Sequence, residues 1–218
     1  MPDTTSLFAF VAAALVVLLI PGPGVMYVLA RSLSQGQRAG LVSVLGLSAG
    51  AFVHVIAATV GLSALLVASA AAFGVVKLLG AGYLIYLGIR ALLSREANAE
   101  VTMPAPRSLR RLLTDGVIVS VLNPKVAVFF LAFLPHFADP SRGSVSAQMF
   151  ALGSLYCLLA VCTDGAYALL AARLRHWVRG PIASGPLPRY ARPLPRYASG
   201  AVYIGLGVST ALVDQQSD

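Results

Sequence analysis

Hydrophobic positions along this chain come in long blocks, with most of its charges gathered in the joints between them. The first apolar run spans Leu7 to Ala30, the second Leu41 to about Val67 and the third about Val75 to Leu93. The fourth goes from Leu112 to Pro135, the fifth from Val145 to Ala172 and the sixth from Tyr197 to Val213. Each is of a length that lets a helix cross a hydrocarbon core of about 30 Å. The pattern therefore predicts six transmembrane helices. The second and third runs are joined by Ala68 to Gly74, an uncharged Ala/Ser-rich stretch, so five spans is the alternative.

Composition strengthens this reading. The chain has 218 residues, 58% hydrophobic and 11% charged, with a mean hydropathy of +0.82. A soluble domain carries about 25% charged residues. The chain is expected to be an all-α integral membrane protein, with residues 1–218 forming a single domain. No positive n-region precedes the first run, where Asp3 stands, and no small-residue cleavage site follows Ile20; the run is expected to be retained. Cys157 and Cys162 share one apolar run and read as small packing residues rather than a disulfide.

The net charge of +8 changes the picture only through its placement. No basic face or motif points to nucleic acid. With the N-terminus outside, the three inner loops hold thirteen arginines, from Arg31 to Arg196, and the outer loops hold only Arg142. That asymmetry matches the positive-inside rule and supports six spans, because five would misplace one basic loop. Both termini are then expected outside. The basic inner loops fall at about 94–111 and 173–196. The second contains PLPRYA twice, at Pro186 to Ala191 and Pro193 to Ala198. This reads as a stiff linker lying near anionic membrane lipid, with a partner-binding motif as the alternative.

A repeat relates the two halves. GAxY occurs at Gly80, Ala81 and Tyr83 and again at Gly200, Ala201 and Tyr203. The first and fourth runs are each broken by proline, at IPGPG (Ile20 to Gly24) and NPK (Asn123 to Lys125). Run 1 thus resembles run 4, and run 3 resembles run 6. Three helices per half make the halves, about 1–94 and 112–213, inverted repeats of each other. Inverted repeats with matching broken helices point to a secondary transporter and its binding site.

The breaks carry the candidate chemistry. Pro21 and Pro23 lack N–H groups, so carbonyls are left free around Gly22 and Gly24. In a bilayer these need neighbouring protein or a wet cavity. The plain alternative is a kink that aids packing. In the fourth run, Pro124 frees the carbonyl of Ser120, and Asn123 can cap the half-helix that follows. Lys125 lies about twelve residues into its run, near mid-bilayer at about 1.5 Å per residue. Donors, a helix N-terminus and an ammonium at one depth suit a carboxylate. Asp164, in the fifth run, is the natural counter-charge: it can pair with Lys125, bind a substrate ammonium or carry a proton. A buried Lys125–Asp164 pair that only holds helices together is the alternative.

Other polar residues read more plainly. Asp115 is expected at the interface and Lys77 to snorkel near the outer end of its run. His54 reads as a packing histidine or a proton relay. GLSAG, Gly46 to Gly50, matches a nucleophile elbow, but that motif needs a strand-turn-helix setting. His54 is also about 240° round a helix from Ser48. Gly46 and Gly50 read instead as a helix-packing face. No enzyme activity, cofactor or metal site is expected.

PGPGVMYVLARSLSQGQRAG, KLLGAGYLIYLGIRAL and NPKVAVFFLAFLPHF, in this order and spacing, resemble the LysE/RhtB family of bacterial amino-acid exporters. The resemblance covers nearly the whole chain. It implies a bacterial inner-membrane exporter of amino acids or close derivatives, driven by proton exchange. It also implies that Pro21, Gly22, Pro23, Asn123, Pro124 and Lys125 flank the transport site. Two positions depart from the family pattern. Gly24 stands where members often have Asn or Asp after PGP, and Pro135-His136-Phe137 stands where many read PQF. The expected partners are a small amino-acid substrate and membrane lipid, and the glycine-rich faces permit a homodimer. Export of another metabolite or cation, or a non-transporting scaffold, are the alternatives.

Overall fold

The computed structural model of the chain describes residues 4–68 and 105–178, with isolated helical positions at 75, 78, 79, 82, 85, 86, 89, 93, 204 and 208. Apart from those positions, the expected third and sixth spans, with Lys77 and Tyr83, lie outside the described residues. The described residues contain helices and no strand. Helix α1 is Thr4–Leu19, α2 Pro23–Gln35 and α3 Gln37–Ala68. Helix α4 is Leu109–Val121, α5 Pro124–Val128 and α6 Val145–Val178. A π turn, Phe129–Phe133, and a 3-10 turn, Leu134–Phe137, continue α5.

By length and composition, α3 and α6 can each cross a membrane, over Gln37–Gly61 and Val145–Arg175. The first and fourth apolar runs form bent pairs instead. Helices α1 and α2 meet at 54°, and α4 meets the Pro124–Phe137 segment at 50°. Both bends fall where the sequence places proline, and the cause is local. Pro23 and Pro124 each take a helix N1/N2 position, where a missing N–H removes no bond. Asn123 is extended (φ −79°, ψ 110°), and its side chain accepts from the Lys125 N–H as an N-cap. A third sharp turn joins α2 to α3 at Gly36, whose φ of +92° lies in the region that favours glycine.

Helices α3 and α4 pack almost backbone to backbone. A Cβ built on Gly46 would collide with the carbonyl oxygen of Leu113. One on Gly50 would lie 2.6 Å from the Val117 oxygen, and one on Gly116 would lie 3.0 Å from the Gly46 Cα. The glycines of GLSAG are therefore a packing face. Small residues at such a face let two backbones approach where apolar burial gives little drive inside lipid.

The other side of the bundle is aromatic. Phe10, Phe129, Phe130 and Tyr156 are buried together. The Phe129 ring lies 4.5 Å from that of Tyr156, and Phe130 meets Tyr156 edge-on at 5.0 Å. The π turn inserts an extra residue into the helical register just past the break. It lets the consecutive Phe129 and Phe130 both face this core. The core anchors the second half-helix while the glycine face anchors the first.

One end of the bundle is tied by polar contacts. Arg31, buried on α2, donates to the Ala105 carbonyl at 3.0 Å. Gln35 and Arg107 exchange a reciprocal pair of hydrogen bonds. Arg107 also pairs with Asp115 on α4, which ties the segment entering that helix to it. Cys157 and Cys162 are both free.

Candidate functional site

Each proline break orphans particular carbonyls, and the packing supplies each with a donor. In an α-helix the carbonyl of residue i pairs with the N–H of residue i+4. Pro21 has no N–H, so the Val17 carbonyl loses its partner; Pro23 does the same to Leu19. The Val17 oxygen accepts instead from Lys125 Nζ at 3.1 Å, and the Leu19 oxygen from the Tyr167 hydroxyl at 2.9 Å. The chain leaves helical geometry after Leu19, which frees the Ile20 carbonyl too. It accepts from the same Lys125 Nζ at 3.0 Å.

The second break is satisfied in the same way. Pro124 cannot donate to Ser120, whose carbonyl accepts from the Asn123 N–H at 3.1 Å. The Lys125 N–H is taken by the Asn123 side chain, which frees the Val121 carbonyl. His54 Nε2 lies 3.2 Å from the Val121 oxygen and 3.4 Å from the Ser120 oxygen. Both partners are carbonyls, so this nitrogen carries the hydrogen. The ring also lies parallel to Phe130, with centroids 6.2 Å apart. His54 thus answers the carbonyls freed by the second break and packs on Phe130. His54→Leu is expected to lower stability by about 1 kcal/mol, the lower end of the cost of an acceptor left without a donor, because the Val121 carbonyl contact is only partly buried. His54→Gln, which keeps an N–H, is expected to recover part of it. Thermal unfolding in detergent reads the difference, and a His54→Leu protein as stable as wild type would remove this role.

The two breaks meet at one cleft. Gly24, Val25, Leu47, Ser48, Ser120, Asn123, Lys125, Tyr156 and Asp164 all line it. Its free volume is about 40 Å³, room for water-sized guests and too little for an amino acid. Lys125 and Asp164 are 7% and 8% exposed, so two opposite charges are buried beside the same small space. They make no direct ion pair among the described residues, although their charges act on each other across the cleft. A direct Lys125–Asp164 pair, one of the alternatives open from the sequence, is therefore not formed. The ammonium is held by backbone carbonyls of the first break, which leaves the carboxylate facing the cleft.

Gly22 and Gly24 lie where the two breaks come together. A Cβ on Gly22 would lie 3.4 Å from Lys125 Nζ, and one on Gly24 would lie 3.3 Å from Leu47 and 3.8 Å from the Asn123 side-chain nitrogen. A longer side chain after PGP would fill the space between the breaks, where this chain has none. All eight principal candidates, Pro21 to Gly24, Asn123 to Lys125 and Asp164, thus lie at or beside the junction of the breaks. His54 supports it from behind, and Asp115 lies away from it. His136 is half-buried near the far end of its segment. Ser48, Ser120, Tyr156 and Tyr167 were given no place at the site by sequence, although Ser48 was weighed within GLSAG and the Ser120 carbonyl was named as freed by Pro124. A signal existed for Ser120, four residues before Pro124, and for Tyr167, three residues past Asp164 on the same helix.

The profile of a family described as LysE type translocator matches residues 15–211. A Salmonella typhimurium protein named homoserine/homoserine lactone efflux protein is 33% identical over 174 residues, which cover 80% of this chain and 84% of its own. A Salmonella choleraesuis leucine efflux protein is 26% identical over 176 residues, 78% of this chain and 81% of its own. A Vibrio cholerae protein described as an uncharacterized membrane protein is 34% identical over 173 residues, 79% and 84% of the two chains. No solved structure matches. Taken with the long apolar helices, these matches make the chain a multi-pass membrane protein.

Proposed function

This chain belongs to the LysE type translocator family, and we propose that it exports a zwitterionic amino acid, or a close derivative, across the bacterial inner membrane. The observation that carries the reading is the convergence of both proline breaks on one cleft that holds a buried ammonium and a buried carboxylate. Lys125, beside the Asn123-capped start of α5, binds the substrate carboxylate through its ammonium. Carbonyls of the first break bind its ammonium. The names of two relatives, which refer to homoserine, its lactone and leucine, favour substrates of this class.

Transport in this reading is secondary and alternates access. Six spans form two inverted halves, with both termini outside, and the two bent spans open the cleft to one side at a time. A proton moves in exchange, and Asp164 carries it. Labelled amino-acid flux in proteoliposomes tests the whole reading; a protein that moves no amino acid but moves another metabolite or a cation would replace the substrate class. Asp164→Asn is expected to flatten the dependence of export on pH. An unchanged pH profile in that variant would take proton carriage away from Asp164.

A further inference from the structure

The position of Lys125 has a consequence for how a substrate binds. Its ammonium sits within 3.1 Å of two carbonyl oxygens, those of Val17 and Ile20, and no side chain contributes to this pair. Both oxygens are acceptors because Pro21 and Pro23 interrupt the first span. The pair therefore forms a receptor for a primary ammonium group, and an internal one fills it. The same lysine lines the cleft that a substrate would enter.

We propose that the Val17 and Ile20 carbonyls are the substrate's ammonium subsite, that Lys125 occupies it when no substrate is bound, and that a zwitterion enters by exchange. The substrate carboxylate draws Lys125 off the carbonyls, and the substrate ammonium takes the place it leaves. The inference rests on the export reading for the identity of the ligand. The geometry of the subsite stands apart from it.

Exchange explains why both ends of the ligand are needed. A carboxylic acid without an amine would pull Lys125 away and leave two buried carbonyls with no donor, a state that is penalised in a water-poor interior. An amine without a carboxylate would find the subsite full. A zwitterion replaces one ammonium by another, so each acceptor keeps a donor throughout. Gly22 lies beside this ammonium: a Cβ built on it would be in ordinary contact with Lys125 Nζ, at 3.4 Å.

The test is a binding measurement with isopentylamine, a primary alkylamine, on purified full-length protein in detergent. In Lys125→Ala the carbonyl pair is vacated, and the amine is expected to raise the thermal midpoint in proportion to the logarithm of its concentration. Wild type is expected to show no such rise. Lys125→Met, which fills the same space without a charge, is expected to show none either. Should Lys125→Ala unfold on extraction, the amine is expected to restore its monodisperse yield. A Lys125→Ala protein that neither gains stability nor recovers yield with the amine overturns the proposal, as does a wild type that responds equally. Failure of the export reading looks different: wild type would then move no amino acid in flux assays while Lys125→Ala still bound the amine.

Discussion

Lys125→Ala, inserted and folded, is expected to lose amino-acid export. Truncating one partner of a buried, hydrogen-bonded charge pair costs about 2–5 kcal/mol in binding, and 2 kcal/mol alone is about a thirtyfold loss of affinity. In the proposed binding mode the other partner is the substrate carboxylate. The variant also strips the Val17 and Ile20 carbonyls of their donor. The measurement is therefore efflux normalised to folded protein in the membrane, with the folded fraction read by size exclusion. Normal efflux from correctly inserted Lys125→Ala would end the role assigned to this residue. A loss of folded protein without a loss of specific rate would leave it as a structural pin for the first break.

The second large effect concerns folding. Gly46→Val is expected to cost about 3 kcal/mol, the upper end of the usual cost of overpacking. The reason is the identity of what the new side chain meets. Its Cβ alone collides with the backbone oxygen of Leu113, and the Gly116 Cα is 3.1 Å away. Backbone in a regular helix cannot move aside as a flexible side chain can. Against a typical stability of about 5–15 kcal/mol, that loss removes a large share. Thermal midpoint and monodisperse yield in detergent read it directly. A Gly46→Val protein with the wild-type midpoint would mean that α3 and α4 do not pack as closely as described.

These two residues also show how unevenly the sequence disclosed the protein. The four described apolar blocks and both bends were readable from it, since block length and proline position act locally. The starting points of the half-helices were readable too: Pro124 follows Asn123, an N-cap residue by type, and the cap forms as expected. The packing role of Gly46 and Gly50 followed from spacing. The partner of Lys125 did not. Charge alone suggested Asp164, the buried carboxylate of the next described helix, yet the ammonium turns to two neutral carbonyls instead. His54 stood alone in its run and gave no sign that it serves the break in another helix.

The division has one physical cause. Proline lacks an N–H by covalent structure, so the carbonyl four residues before it is orphaned. The sequence by itself marked Ser120 on this ground, but it pointed to free carbonyls around Gly22 and Gly24 at the first break, where the structure has them at Val17, Leu19 and Ile20. The sequence likewise determined that the long apolar helices could lie in a membrane. Ser120 is answered locally by the Asn123 N–H, but which donors would answer Val17, Leu19 and the freed Val121 carbonyl was decided only in the tertiary structure. Lys125 reaches Val17 across 108 positions, Tyr167 reaches Leu19 across 148, and His54 reaches Val121 across 67. Such pairings depend on how the helices cross and rotate against one another. A missing hydrogen bond is a property of one residue and its neighbours; the group that replaces it is a property of the whole packed bundle.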